Sequence, residues 1–174
     1  LWGYLTVIVS ALVWALVGVT HNGLWNWLWF LIWIIGGIAT PIMAKKQRIE
    51  QGTKTYVDTI SDGIWSIIGY MAIVMTFTCL TFLLAGGKDS WSAMFVFALL
   101  GVGFAEAVQG IVVKEKSLII GGSIGILAGV IMLAAIAGKV VLYINWVMPM
   151  FIAAFICMMI IPGHILNAKA RKEK

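Results

Sequence analysis

Six apolar runs, at about 2 to 20, 24 to 44, 62 to 85, 91 to 113, 117 to 137 and 143 to 163, leave this chain few ways to fold. Each is about as long as the roughly 20 residues a helix needs to cross a hydrocarbon core. Each is also too long for a barrel strand and lacks the alternation a barrel needs, and backbone groups in lipid have to be satisfied within their own segment. The expected fold class is therefore all-α: a polytopic membrane helical bundle of six transmembrane helices, a single domain over residues 1–174. Composition agrees, with 62% hydrophobic residues, 11% charged and a mean hydropathy of +1.04, whereas about a quarter of an ordinary soluble domain is charged.

Charge placement orients the spans. Lys45, Lys46, Arg48 and Lys54 follow the second run, Lys114 and Lys116 the fourth, and Lys169, Arg171, Lys172 and Lys174 the sixth, leaving only Lys88 and Lys139 in the other loops. Ten of twelve basic residues thus fall on one side, and the positive-inside rule predicts that both termini are cytoplasmic. The net charge of +5 is mostly topology. No basic stretch is long or interleaved with stacking aromatics, so nucleic acid is not an expected partner, and anionic lipid headgroups are. The chain begins at Leu1 without Met, so a short preceding piece is expected. The first run lacks a basic region and a small-residue cleavage site and reads as a span, not a cleaved signal peptide.

The outer connections are short, while the cytoplasmic segment 45–61 reads KKQRIEQGTKTYVDTIS. Gly52 is expected to interrupt the helix from the second span and Thr53 to cap a short new one lying along the headgroups, a surface open to a cytoplasmic partner. Spans pair along the chain as three hairpins. Trp25, Trp27, Trp91, Trp146 and Tyr143 fall at predicted outer ends, and Trp2, Tyr4, Tyr56 and Trp65 at inner ones, as an aromatic belt requires. Trp25, Trp29 and Trp33 form a stripe at helical spacing, read as packing or lipid-facing rings because a cation cage needs rings converging from more than one helix.

Gly121, Gly125 and Gly129 recur every fourth residue on the fifth span and predict a groove that another helix approaches closely, either within the chain or in a second copy. Glu106 is the one charged side chain well inside an apolar run. A carboxyl there must find partners, stay protonated or face water. At 1.5 Å per residue it lies about 12 Å above Lys114, in the inner third of the membrane. The same count places Tyr70, Ser123 and Ser10 at about 9 to 12 Å and Thr40 at about 6 Å, with Gln109 one turn below Glu106. These uncharged groups are the candidate partners in a ligand or proton site. With no Lys or Arg at that depth, the acid is expected to be protonated much of the time.

Other chemistry finds no support. Cys79 and Cys157 differ in depth by about 12 Å and make no disulfide. His21 and His164 fall on opposite sides, so no metal site and no cofactor are expected. No Walker loop, nucleophile elbow or HExxH motif is present, and Asp58 with Asp62 reads as helix-start chemistry.

Four pieces, WNWLW at 25–29, TYVD at 55–58, GIVVKEKSLIIGG at 110–122 and IIPGHIL at 160–166, resemble a family of small bacterial six-span integral membrane proteins. The resemblance covers nearly the whole chain and implies a bacterial inner membrane, but its motifs are marks of fold without known chemistry. The family pattern carries a small or hydroxyl residue where this chain has Glu106, which argues against a family-wide catalytic or transport role for the acid. The leading expectation is a non-enzymatic sensing, binding or assembly module, with a homo-oligomer or a membrane or cytoplasmic protein partner meeting it at Gly121, Gly125 and Gly129 or at the 45–61 loop. The alternative is a small transporter or channel using Glu106. An intramembrane enzyme comes third, because general acid–base chemistry needs a second group.

Overall fold

The computed structural model describes residues 1–51, 55–86 and 91–172, with backbone alone over 47–51. The described residues are helical apart from short turns. The elements are α1 (Trp2–Thr20), a 3₁₀ segment (Gly23–Trp29), α2 (Phe30–Gln51), α3 (Tyr56–Gly86), α4 (Ser92–Val113), α5 (Lys116–Ala137), α6 (Ile144–Phe155), a π turn (Ile156–Ile160) and α7 (Ile161–Lys172). Six helical segments are long and apolar enough to span a membrane. The chain is a multi-pass membrane protein.

Local chemistry sets the ends of these elements. His21 closes α1 in the left-handed region, and the Asn22 side chain accepts the Leu24 N–H at 2.9 Å to start the 3₁₀ segment. That segment corrects the expected tryptophan stripe. At three residues per turn, Trp25 and Trp29 point about 120° apart instead of stacking on one face. Trp25 is exposed, whereas Trp29 turns into the bundle.

The segment 45–61 also differs from expectation. Gly52, Thr53 and Lys54 lie outside the described residues, but Tyr56, Val57 and Ile60 belong to the single 31-residue α3 and not to a separate short helix. Thr55 starts it: its hydroxyl accepts the Asp58 N–H at 3.2 Å, while the Asp58 carboxylate accepts the Thr55 N–H at 2.9 Å. The TYVD stretch is thus a reciprocal cap. A helix of this length runs about 46 Å, so it extends past a core about 30 Å thick.

The turn between α4 and α5 is equally determined. Lys114 adopts φ 58°, and the Glu115 N–H reaches back to Gly110 O at 2.8 Å, the Schellman closure. Glu115 then accepts from the Ser117 hydroxyl at 3.1 Å and begins α5. The sixth span does not stop near residue 163. It passes through the π turn and Pro162 and continues as α7 to Lys172.

α4 and α5 are the closest pair, although they belong to different hairpins. The sixth span fits between α5 and α1, and among the described residues α3 packs on α4 alone. The core contains Leu99, Met132, Phe151, Phe155 and Met158. Exposed Ile34, Ile38, Ile67, Val74, Phe77 and Leu84 give α2 and α3 apolar faces suited to lipid.

One end of the bundle carries Lys45, Lys46, Lys114, Lys116 and Lys169, and here side chains tie the helices together. The Trp2 indole lies across Gly36 of α2 and donates to the Thr40 hydroxyl at 3.0 Å. Tyr4 and His164 share a hydrogen bond between α1 and α7. Lys169 meets Glu115 at 2.6 Å. The Lys169 ammonium, aided by hydrogen bonds from Ser117, holds the Glu115 carboxyl below its ordinary value. A lowered carboxyl contributes stability above its unfolded value and loses it as pH falls through the folded one. Glu115→Gln is therefore expected to lower the thermal midpoint at neutral pH, with the gap from the unaltered protein closing on acidification. A gap that is constant with pH would contradict the pairing.

Candidate functional site

Leu99, Gly103, Glu106 and Gly110 are buried on α4 at intervals of four, three and four, so they share one face. That face meets α5. A Cβ placed on Gly103 would lie 2.8 Å from both Gly122 O and Ile126 N, and one on Gly110 would lie 2.7 Å from Ile119 N. The reciprocal face of α5 is as tight, since a Cβ on Gly122 would stand 2.5 Å from Ala107 N and Gly103 O. Main chain rests on main chain along this seam, as small residues in membranes permit.

Gly121, Gly125 and Gly129 make their close approaches within the chain, but to two neighbours. Gly129 meets Leu100 of α4, Gly121 meets Cys157, Met158 and Pro162 of the sixth span, and Gly125 lies against both Gly103 and Met158. These three spans therefore converge on the glycine ladder of α5.

Glu106 lies at that convergence. It is 5% exposed, and its Oε2 has no hydrogen-bond partner among the described residues. Its depth on α4 falls between Gly103, which faces Gly122, and Gly110, which faces Leu118 and Ile119. Gly121 of α5 is at the same level, and through it the step from Cys157 to Pro162.

The other predicted members of the polar layer are placed elsewhere. Gln109 accepts from the Trp65 indole at 2.6 Å and so ties α4 to α3. Tyr70 is 71% exposed. Ser123 donates to Ile119 O at 2.8 Å on its own helix, and Ser10, though fully buried, donates to Thr6 O at 2.6 Å. Thr40 is taken by Trp2 at the basic end. Depth counting placed these groups at similar heights, but helix azimuth disperses them.

An aromatic cluster occupies the other half of the bundle. Trp29, Phe95 and Phe151 come from three elements and meet edge to face, with centroids 5.1 to 5.9 Å apart. Rings in mutual contact at that spacing fill their own centre and leave no cage for a cation. A hollow of about 430 Å³ along Val74, Phe77, Thr81 and Phe82 is on the exposed side of α3, and neither it nor a second beside Met75 and Phe97 includes Glu106. Among the described residues no three His, Cys, Asp or Glu side chains are grouped to hold a metal.

The π turn is the feature that the sequence reading missed. Pro162, close to the expected end of the sixth span, was its signal. No family model, curated protein or solved structure matches this chain.

Proposed function

We propose that this protein is a non-enzymatic binding, sensing or assembly module of the bacterial inner membrane, with both termini cytoplasmic. The basic residues concentrated in alternate loops support that orientation, and the four family-like motifs support the bacterial membrane. One observation favours a packed module over a pathway: the glycine seam brings α4 and α5 into backbone contact on both sides of Glu106. A transporter would need water to reach this acid from each face in turn, and the contacts at Gly103, Gly110 and Gly122 leave no gap between these two helices for it. The acid then acts as an internal polar contact whose state the packing registers, in place of a carrier that moves a substrate.

Water accessibility tests the reading. Single cysteines at Val102 and Ala107, in a chain whose Cys79 and Cys157 are replaced by alanine, are expected to resist a membrane-impermeant thiol reagent from both faces. Lys46→Cys and Lys139→Cys are expected to label from the cytoplasmic and outer faces respectively. Labelling at Ala107→Cys from both faces would instead support the small transporter or channel.

A further inference from the structure

The π turn leaves one main-chain oxygen open. Ile161 N–H donates to Ile156 O, the i−5 pattern. In a regular helix Cys157 O would receive the N–H of Ile161, and in π register that of residue 162. The first is already committed and the second is proline, which has no N–H. The Cys157 carbonyl therefore receives neither helical donor, inside a span where water is scarce. Such groups are normally satisfied, and an exception requires a cause.

The open carbonyl faces Gly121 of α5. Cys157 O is the atom nearest to where a Gly121 side chain would begin, at 2.8 Å, with Pro162 Cγ at 3.0 Å. Gly121 is at the level of Glu106, whose Oε2 is buried without a partner among the described residues. The unpartnered Glu106 Oε2 and the Cys157 carbonyl, which receives neither helical donor, thus share a level of one glycine-lined junction. As a carboxylate, Glu106 adds an acceptor to an acceptor. As a neutral acid it supplies the missing donor.

We infer that Glu106 and the Cys157 carbonyl bind one proton between them, the carboxyl O–H donating to the carbonyl that the π turn leaves open. The inference deepens the packed-module reading by naming the ligand of its site. A proton suits this junction better than a metal ion because even a Cβ added at Gly103, Gly121 or Gly122 would stand 2.5 to 2.8 Å from neighbouring main-chain atoms, which leaves no room for a shell of five or six oxygens. Binding it closes the sixth span onto α4. Losing it sets a carboxylate against a carbonyl and loosens that contact. The titratable and charged groups on the packed elements are Tyr4 on α1, Lys116 on α5, Cys157 on the π turn, His164, Lys169, Arg171 and Lys172 on α7, and Tyr56, Asp58, Asp62, Tyr70 and Cys79 on α3. Only Cys157 reaches the junction, and its thiol is not needed.

The chain has two cysteines, so carbonyl-¹³C cysteine labels two peptide groups, and Cys79→Ala leaves Cys157 alone. In lipid nanodiscs, the infrared amide band of labelled Cys157 is expected to move to higher frequency as pH rises, together with loss of a carboxylic-acid band that Glu106→Gln abolishes. In Glu106→Gln the side-chain amide donates at every pH, and the Cys157 band is expected to stay fixed at the low-frequency position. Pro162→Ala restores an N–H and is expected to uncouple the Cys157 band from the acid. A Cys157 band that ignores pH in the unaltered chain, or one that follows sodium concentration at fixed pH, overturns the inference. Thiol labelling at Ala107→Cys is independent of this readout, so failure here leaves the packed-module reading to its own test.

Discussion

Gly122→Leu is expected to destroy the native bundle, at a cost of about 3 kcal/mol or more. The atoms that the new side chain would strike are Ala107 N and Gly103 O at 2.5 Å and Ala107 Cα at 2.9 Å, all main chain. No rotamer change can move them, so α4 and α5 must separate. Separation is expensive here because helices within lipid gain nothing from hydrophobic burial against one another and depend on close van der Waals contact. Gly122→Ala should shift stability in the same direction by less. Gly69→Ala is the control: a Cβ there meets nothing within 4 Å, and alanine is favoured over glycine within a helix by roughly 0.5 to 1 kcal/mol. Unfolding midpoints in mixed micelles should therefore fall steeply for Gly122→Leu and stay level or rise for Gly69→Ala. Equal midpoints for the two would mean that the seam is not closed in the folded protein.

The legible part of this fold was the part written in one dimension. Span number and approximate limits follow from run length, since a bilayer fixes how many apolar residues a helix needs. The repeat of Gly121, Gly125 and Gly129 was legible as close packing because only hydrogen at those positions lets backbones touch. The two different neighbours that these glycines serve were not legible. Successive positions on a 3.6-residue helix drift around its axis, so Gly121 and Gly129 open onto different helices.

Azimuth also explains the dispersal of the expected polar layer. Height above the basic end can be counted from sequence, but the direction in which Gln109, Tyr70 and Ser123 point depends on which helix stands beside which. Gln109 found Trp65, and Ser123 found its own backbone. Glu106 was legible as costly, and its burial agrees with that, while the second open oxygen was hidden in the main chain. Pro162 could have revealed it. A proline within an apolar run implies a carbonyl that lacks a donor, and the continuing helix to Lys172 turns that implication into a site.

The 3₁₀ start of the second span was beyond reach for a different reason. Its residues, GLWNWLW, are apolar enough for either helix, and a cap of one hydrogen bond from the Leu24 N–H to the Asn22 side chain, together with tertiary contact of Trp29, decides the pitch. Tighter winding swings Trp29 onto Phe95 and Phe151.

Phe151→Ala tests that cluster and the way energy is distributed in a membrane core. Phe151 is 3% exposed and touches Trp29, Phe95 and Phe155, the last with centroids 4.6 Å apart. In a water-soluble core such a truncation costs about 3 to 5 kcal/mol, part of it the return of apolar surface to water. Here the separated helices remain in lipid, so that part vanishes and the cavity and lost ring contacts remain. With aromatic pairs worth about 0.5 to 1.5 kcal/mol each, the expected cost is about 2 kcal/mol, and less for Phe151→Leu, which refills part of the space. Phe77→Ala, at a ring 65% exposed on the lipid side of α3, is expected to change stability little. These values can be read from the same unfolding midpoints. A loss at Phe77 as large as at Phe151 would place a packing partner on α3 and deny the outer face to lipid.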